Sequence, residues 1–276
     1  MNSFEQQYYE DESFWSGNML QDEANRYRIT YTASLVPESV KTLADIGCGN
    51  GVFVNYLSKV KPHLQLLGVD RSEAALQFVQ TNKEKGDITN LHFPDKSFDC
   101  VTCLEVIEHL PIPVFKQSLH HLARISKDYL IVSVPYGETL EESYNQCPAC
   151  KTIFNLELHL RSFSREYFRH LFDEFGFTCV QSEEFGRSVR YKGHYAFRKL
   201  FYPEQFRQWK SPICPVCGYK DEKQKTVDEG NPLPKSQFPM RSKRKKWIAY
   251  MTALPKLIWP KETRFYWIVG VFKRNA

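Results

Sequence analysis

The sequence predicts an α/β protein in which a mostly parallel sheet carries helices on its faces, and three observations predict it. Between Thr42 and Ile125 a strand-then-helix rhythm repeats three times. Residues 129–134 form a nearly continuous, β-rich apolar run of the kind a strand buried on both faces requires. Residues 43–46, a shorter apolar run, end at a glycine-rich turn, after which Phe53, Tyr56 and Leu57 share one helical face.

The elements follow in chain order. Residues 43–46 are the first strand, and residues 66–69 the second, ending at Asp70. Ser72 is placed to cap a helix running to Val79. A very short third strand is expected near residues 86–91 and a fourth over 98–104. A helix marked by Phe115, Leu119 and Leu122 then leads to the fifth strand at 129–134. Beyond Pro135 the rhythm breaks. A helix over 164–175, capped by Ser164 and stopped by Gly176, presents Phe168, Leu171, Phe172 and Phe175. Residues 177–181 make a sixth strand, and 265–272, apolar on both faces, a buried final one.

With 276 residues, 42% hydrophobic and 25% charged, the chain suits one full α/β core with insertions, and disorder is not its default state. Residues 1–40 are expected to form a lid and a helix, and 41–186 the core, with an insertion at about 137–163. A basic insertion spans 187–262, and 263–276 return the last strand and a tail. Charge is unevenly divided: residues 187–276 hold 21 of the 37 Lys and Arg but only 6 of the 32 Asp and Glu. That asymmetry points to an anionic partner for the C-terminal part, with a merely solvated face as the alternative. Residues 1–17 lack a basic-then-apolar run, so a cytoplasmic location is expected. The apolar stretch 247–259 contains Pro255 and Lys256 and falls short of the roughly 20 residues a spanning helix needs.

The turn after the first strand, Leu43-Ala-Asp-Ile-Gly-Cys-Gly-Asn-Gly51, places glycines at 47, 49 and 51, where the backbone must bend sharply and come close to a ligand. The spacing is G-x-G-x-G, which disfavours a nicotinamide-dependent oxidoreductase. About twenty residues on, Asp70 stands at the end of strand two, where a carboxylate accepts from ribose hydroxyls. Gly86-Asp87-Ile88 at the next strand-loop junction suits an adenine edge.

Residues 43–111 resemble the class I S-adenosylmethionine-dependent methyltransferases, most closely those of small molecules. DIGCGNG is similar to their first motif, GVDRS to the second, GDITNLHFPDKSFDCVTC to the third and fourth, and EVIEHLP to the stretch after strand four. The resemblance implies a Rossmann-like, seven-stranded, mostly parallel sheet with an antiparallel last strand. It further implies that Asp45, Gly47, Gly49 and Gly51 hold the methionine part of the cofactor, Asp70 the ribose, and Asp87 with the Ile88 backbone the adenine, with Glu105 lining the same pocket.

Cys48, Cys100, Cys103 and Cys179 lie in or beside predicted core strands, where a free thiol behaves as a small apolar group. Cys147-Pro-Ala-Cys150 and Cys214-Pro-Val-Cys217 are paired knuckles suited to one structural zinc that staples the two insertions; redox-active dithiols are the alternative.

A further metal is expected after strand four. If residues 105–109 are helical, Glu105, Glu108 and His109 stand on one face. The stretch resembles the ExxEH element of metal-dependent O-methyltransferases of ubiquinone biosynthesis and of small RNAs. In the RNA enzymes a later histidine completes the site, and that resemblance assigns His159 here. Magnesium or manganese is the expected ion. The alternative leaves Glu105 lining the cofactor pocket and His109 as packing.

Tyr8, Tyr9, Phe14 and Trp15 are lid candidates, and Tyr136 borders the acceptor. The acceptor is expected to be a small or lipid- or saccharide-linked molecule, with the basic segment 241–259 resting on an anionic membrane surface. RNA is the alternative, and a cofactor-binding scaffold without turnover the non-enzymatic one.

Overall fold

The computed structural model describes residues 9–17, 19–191, 213–220 and 260–276, and the basic segment 241–259 and Tyr8 lie outside them. Among the described residues no helix is long and apolar enough to cross a membrane.

Seven strands form one sheet: β1 (Thr42–Ile46), β2 (Gln65–Asp70), β3 (Asn82–Lys85), β4 (Phe98–Leu104), β5 (Ser126–Pro135), β8 (Phe177–Tyr191) and β9 (Lys261–Arg274). Their spatial order is β3-β2-β1-β4-β5-β9-β8. Strands β1 to β5 pair in parallel, whereas β9 runs antiparallel between β5 and β8. The short strands β6 (Tyr144–Gln146) and β7 (Ile153–Asn155) form a separate antiparallel hairpin.

Alternation along the strands sorts the core into two layers. Leu43, Cys100, Ile131 and Val269 face Ile29 and Ala33 of α2 (Glu23–Ser34) and Phe53 and Leu57 of α3 (Val52–Val60). Ala44, Val101, Leu130, Val132 and Phe272 face α5 (Ile112–Ile125) and α6 (Arg165–Arg169). The four cysteines expected in the core, Cys48, Cys100, Cys103 and Cys179, are all buried. Asp22 caps α2, and the expected Ser72 and Ser164 caps hold α4 (Glu73–Leu76) and α6 through Ala75 N–H and Tyr167 N–H. A single α-helical turn, α1 (Glu12–Trp15), precedes α2.

Several boundaries depart from expectation. The third strand is Asn82–Lys85, not 86–91, because it is an edge strand whose four polar residues are exposed and so carry no apolar signal. Ile88 and Leu91 are buried, but from a loop. The helix after Ser72 ends at Leu76, not Val79. The helix expected over 164–175 is broken into α6 and a 3-10 turn, Asp173–Phe175, an arrangement that sets Phe168 and Phe172 with ring centroids 5.6 and 5.0 Å from Phe272. Strand β8 continues past Gln181 to Tyr191 because its partner β9, longer than 265–272, supplies a ladder to Lys261.

The segment between β5 and α6 leaves and re-enters the sheet edge at one point. Tyr136 bridges Phe163, and the Gly137 N–H donates to Phe163 O at 3.0 Å.

Candidate functional site

The parallel strands end together at one edge, so the loops after β1, β2, β4 and β5 converge there. Gly47 and Gly49 sit at φ 77° and 53°, in the left-handed region that glycine alone enters at no steric cost. A Cβ at Gly47 would lie 2.4 Å from Val106 Cγ2, and one at Gly49 would lie 2.7 Å from the Trp15 ring. The turn is tied to β2: the Gly47 and Cys48 N–H groups donate to Val69 O at 2.7 and 3.0 Å. Asp70 accepts from the Gly49 N–H through one oxygen (2.8 Å) and from the Ser72 N–H through the other (2.9 Å). Burial raises its pKa despite these bonds. Asp45 is buried beside its register partner Thr102, whose hydroxyl donates to it at 2.7 Å. Burial pushes the Asp45 carboxyl up to about 7.

The N-terminal segment closes over this edge. Trp15 Nε1 donates to Tyr9 O (2.7 Å), Asn50 donates to Trp15 O (2.9 Å), and the Ser72 hydroxyl donates to Tyr9 O (2.7 Å). Beneath lie two adjoining cavities. One of about 130 Å³ is bounded by Asp70, Arg71, Asp87 and Ile88, with Asp87 Oδ1 accepting from both the N–H and the hydroxyl of Thr89 at 2.8 Å. The other, of about 710 Å³, runs from the glycine turn past Glu105 to Tyr136, His159 and Trp267. Together they fall in the size range of small-molecule sites.

The large cavity is also lined by Arg28, which the sequence reading missed. Its side chain is 8% exposed, its guanidinium lies 3.9 Å from Glu105 and 5.6 Å from the Trp267 ring centroid, and its Nε has no hydrogen-bond partner among the described residues. Nothing in the local pattern of α2 marked Arg28 for burial.

At the far end the helical expectation fails. Glu105 adopts φ 57°, and only Ile107–His109 form a single 3-10 turn, so Glu105 does not share a helical face with Glu108 and His109. Its carboxylate accepts from the Ser133 hydroxyl at 2.8 Å and faces Arg28. The groups whose ligand atoms lie within 4.8 Å of one another are Glu108, His109 and His159, and Glu105 is not among them. Glu108 is fully buried and neither carboxylate oxygen has a hydrogen-bond partner among the described residues. Burial and the neighbouring Glu105 carboxylate hold its pKa well above the ordinary range. His109 Nε2 lies 3.7 Å from Glu108, and its Nδ1 lies 3.3 Å from Leu158 O. Burial, and next His159, push the His109 imidazole down to about 3.

The four knuckle cysteines also meet, their sulfurs all within 4.8 Å. The two turns are alike: Cys147 N–H donates to Thr152 O and Cys214 N–H to Tyr219 O, each at 2.9 Å, with Lys151 and Gly218 left-handed after the second cysteine.

Comparison with known proteins places this geometry. A ubiquinone biosynthesis O-methyltransferase of Albidiferax ferrireducens is 28% identical over 100 residues, covering 32% of this chain and 39% of its own length. The enzyme of the same name from Coxiella burnetii is 30% identical over 96 residues, 32% of this chain and 41% of its own. The chain thus spans about two-fifths of those relatives. Among solved structures, a chain of the complex between the Haloferax volcanii Trm112 methyltransferase activator and a methyltransferase matches with TM-score 0.55 and 16% identity, covering 100% of this chain and 99% of that one. An S-adenosylmethionine-dependent methyltransferase of Archaeoglobus fulgidus matches with TM-score 0.53 and 17% identity over 95% and 97%. Both likenesses are of fold. A family profile described as a methyltransferase domain matches residues 21–182, from just before α2 into β8. With the glycine turn, Asp70 and the sheet order already in place, the chain belongs to that methyltransferase-domain family.

Proposed function

We propose that the protein methylates an oxygen of a small-molecule acceptor, free or carried on a lipid or saccharide, with a divalent ion held by Glu108, His109 and His159. The observation that carries this reading is Glu108: a buried carboxyl with both oxygens unbonded beside two imidazoles, which either keeps a proton or binds a cation that takes the proton's place, and the two imidazoles beside it favour the cation. The Albidiferax and Coxiella relatives are named for O-methylation in ubiquinone biosynthesis, which supports oxygen as the accepting atom. One carboxylate with two imidazoles favours manganese over magnesium, because imidazole suits first-row transition ions better.

In this reading Asp70 accepts from the ribose hydroxyls, and Asp87 and Ile88 border the adenine. Asp45 and the glycine turn hold the methionine part, and Arg28 pairs with its carboxylate. S-adenosylmethionine supplies the electrophilic methyl group. Tyr9 and Trp15 exclude water above the turn, while Tyr136 and Trp267 wall the acceptor side. A divalent ion bound at the three residues supplies Lewis-acid charge that lowers the pKa of an acceptor oxygen. The four thiolates of Cys147, Cys150, Cys214 and Cys217 make a closed set suited to a structural zinc.

Label transfer from a methyl-labelled donor to a panel of hydroxylated small molecules, read by intact mass, tests this. Turnover is expected to vanish in EDTA and return with Mn²⁺. Glu108→Ala should lower it about a hundredfold while S-adenosylhomocysteine binding is retained. Full turnover in EDTA rejects the ion, and labelling of RNA instead of any small molecule rejects the acceptor class.

A further inference from the structure

Between Glu138 and His159 the chain makes a closed excursion from the sheet edge. It passes through the 3-10 turn Leu140–Ser143 and the β6–β7 hairpin with its first cysteine knuckle, and comes back through Leu158, a non-glycine residue at φ 58°. At the base of the excursion two side chains meet. His159 Nδ1 lies 2.6 Å from Glu138 Oε2, and only 12% and 17% of the two side chains are exposed. A carboxylate only accepts, so the shared hydrogen belongs to Nδ1, and the lone pair of the neutral ring is left at Nε2.

The neighbouring imidazole is held in a parallel manner. His109 is anchored through Nδ1 to the Leu158 carbonyl, its Nε2 stands beside Glu108, and its ring centroid is 4.9 Å from that of His159. Both rings are therefore fixed through Nδ1, one by a backbone carbonyl and one by a carboxylate. This is how imidazole ligands are usually oriented, the second nitrogen bonded to a carbonyl or carboxylate that sets the tautomer and raises basicity. Glu138 lines the large cavity with His159 and touches neither the glycine turn nor the cysteine knuckles in any hydrogen bond described above.

We propose that Glu138 is the positioning residue of the acceptor-side centre, holding His159 with Nδ1 protonated and Nε2 as the free donor of the set formed with Glu108 and His109. The effect on ion affinity rests on the divalent-ion reading above; the tautomer does not.

The test uses the full chain, purified without chelator and labelled with ¹⁵N. Long-range ¹H–¹⁵N spectra at pH 8 without added ion report which ring nitrogen of His159 carries the proton. The paramagnetic signal of free Mn²⁺ reports affinity, and calorimetry with S-adenosylhomocysteine reports the integrity of the cofactor site. In the wild type His159 is expected to be protonated at Nδ1. Glu138→Ala should move the proton to Nε2 and weaken Mn²⁺ binding about 10–100-fold, with S-adenosylhomocysteine binding retained. Glu138→Gln, whose amide oxygen still accepts, should keep the Nδ1 proton and lose less affinity. If Glu138→Ala fails to fold, Glu138→Leu, of similar volume, carries the same comparison. A His159 ring that keeps its Nδ1 proton in Glu138→Ala or Glu138→Leu overturns the proposal, as does unchanged Mn²⁺ affinity. A wild-type chain that binds no Mn²⁺ rejects the divalent-ion reading, and the ring spectra then decide the role of Glu138 alone.

Discussion

Asp45, a cofactor-side group in the proposed reading, shows how a buried carboxyl shapes stability. Its folded-state pKa of about 7 lies above the unfolded value of about 3.9. Between those values the unfolded chain has released a proton that the folded chain retains, so the protein loses stability as pH rises through that window. The loss attributable to Asp45 is at most on the order of 4 kcal/mol, and Asp45→Asn, which stays neutral and still accepts from Thr102, should remove it. Urea midpoints at pH 5 and pH 7.5 check this: the wild type should fall further than the variant, and parallel curves would show that Asp45 keeps no proton. At this scale the sequence named Asp70 from its place at the end of strand two, and Asp45 and Glu108 through motifs that resemble the family's. It missed Arg28 because a lone arginine in a helix gives no sign of burial. It misplaced Glu105 because a left-handed φ at a non-glycine residue has no signature in local pattern.

At the scale of elements, the β6–β7 hairpin carries one cysteine knuckle at its tip, and the described residues 213–220 carry the other. The hairpin's own ladder is three residue pairs, short for independent stability, so a metal across the four thiolates would supply much of its order. Cys214→Ser is expected to lower bound zinc well below one per chain, measured by elemental analysis. Limited proteolysis should then cut within residues 138–159 while the sheet stays protected. Unchanged zinc content and an unchanged cleavage pattern would show that the knuckles hold no metal. The knuckles were legible because C-P-x-C repeats a turn chemistry in four consecutive residues. Strand β3 was not, because an exposed edge strand of Asn, Lys and Glu offers no hydrophobic alternation to read.

For the whole molecule, the proposed cofactor site draws on loops from β1, β2, β4 and β5 together, so ligand binding and fold should be thermodynamically linked. S-adenosylhomocysteine at a hundred times its dissociation constant should add about 2.7 kcal/mol of stability and raise the unfolding temperature by about 5–10 °C. Asp70→Ala removes a charge-assisted acceptor and leaves the Gly49 and Ser72 N–H groups unbonded. It should weaken binding by about 1.5–3 kcal/mol and so at least halve that shift at the same ligand concentration. Calorimetric titration and thermal scans measure the two effects, and an unshifted affinity in Asp70→Ala would remove the ribose role.

The sequence by itself determined the alternation of strands and helices, the glycine turn and the aspartate after the second strand. These rest on burial and backbone demands met within a few consecutive residues. The sequence also proposed, through resemblance and cysteine spacing, that His159 joins Glu108 and His109 and that the knuckles meet at one metal; the tertiary structure brings those groups together, and it alone decided that Glu138 meets His159 and that Arg28 faces inward. Those partners are far apart along the chain, 49 residues between His109 and Leu158 and 70 between Cys147 and Cys217. Their meeting depends on strand register and on loops closing at one sheet edge, which no local periodicity encodes.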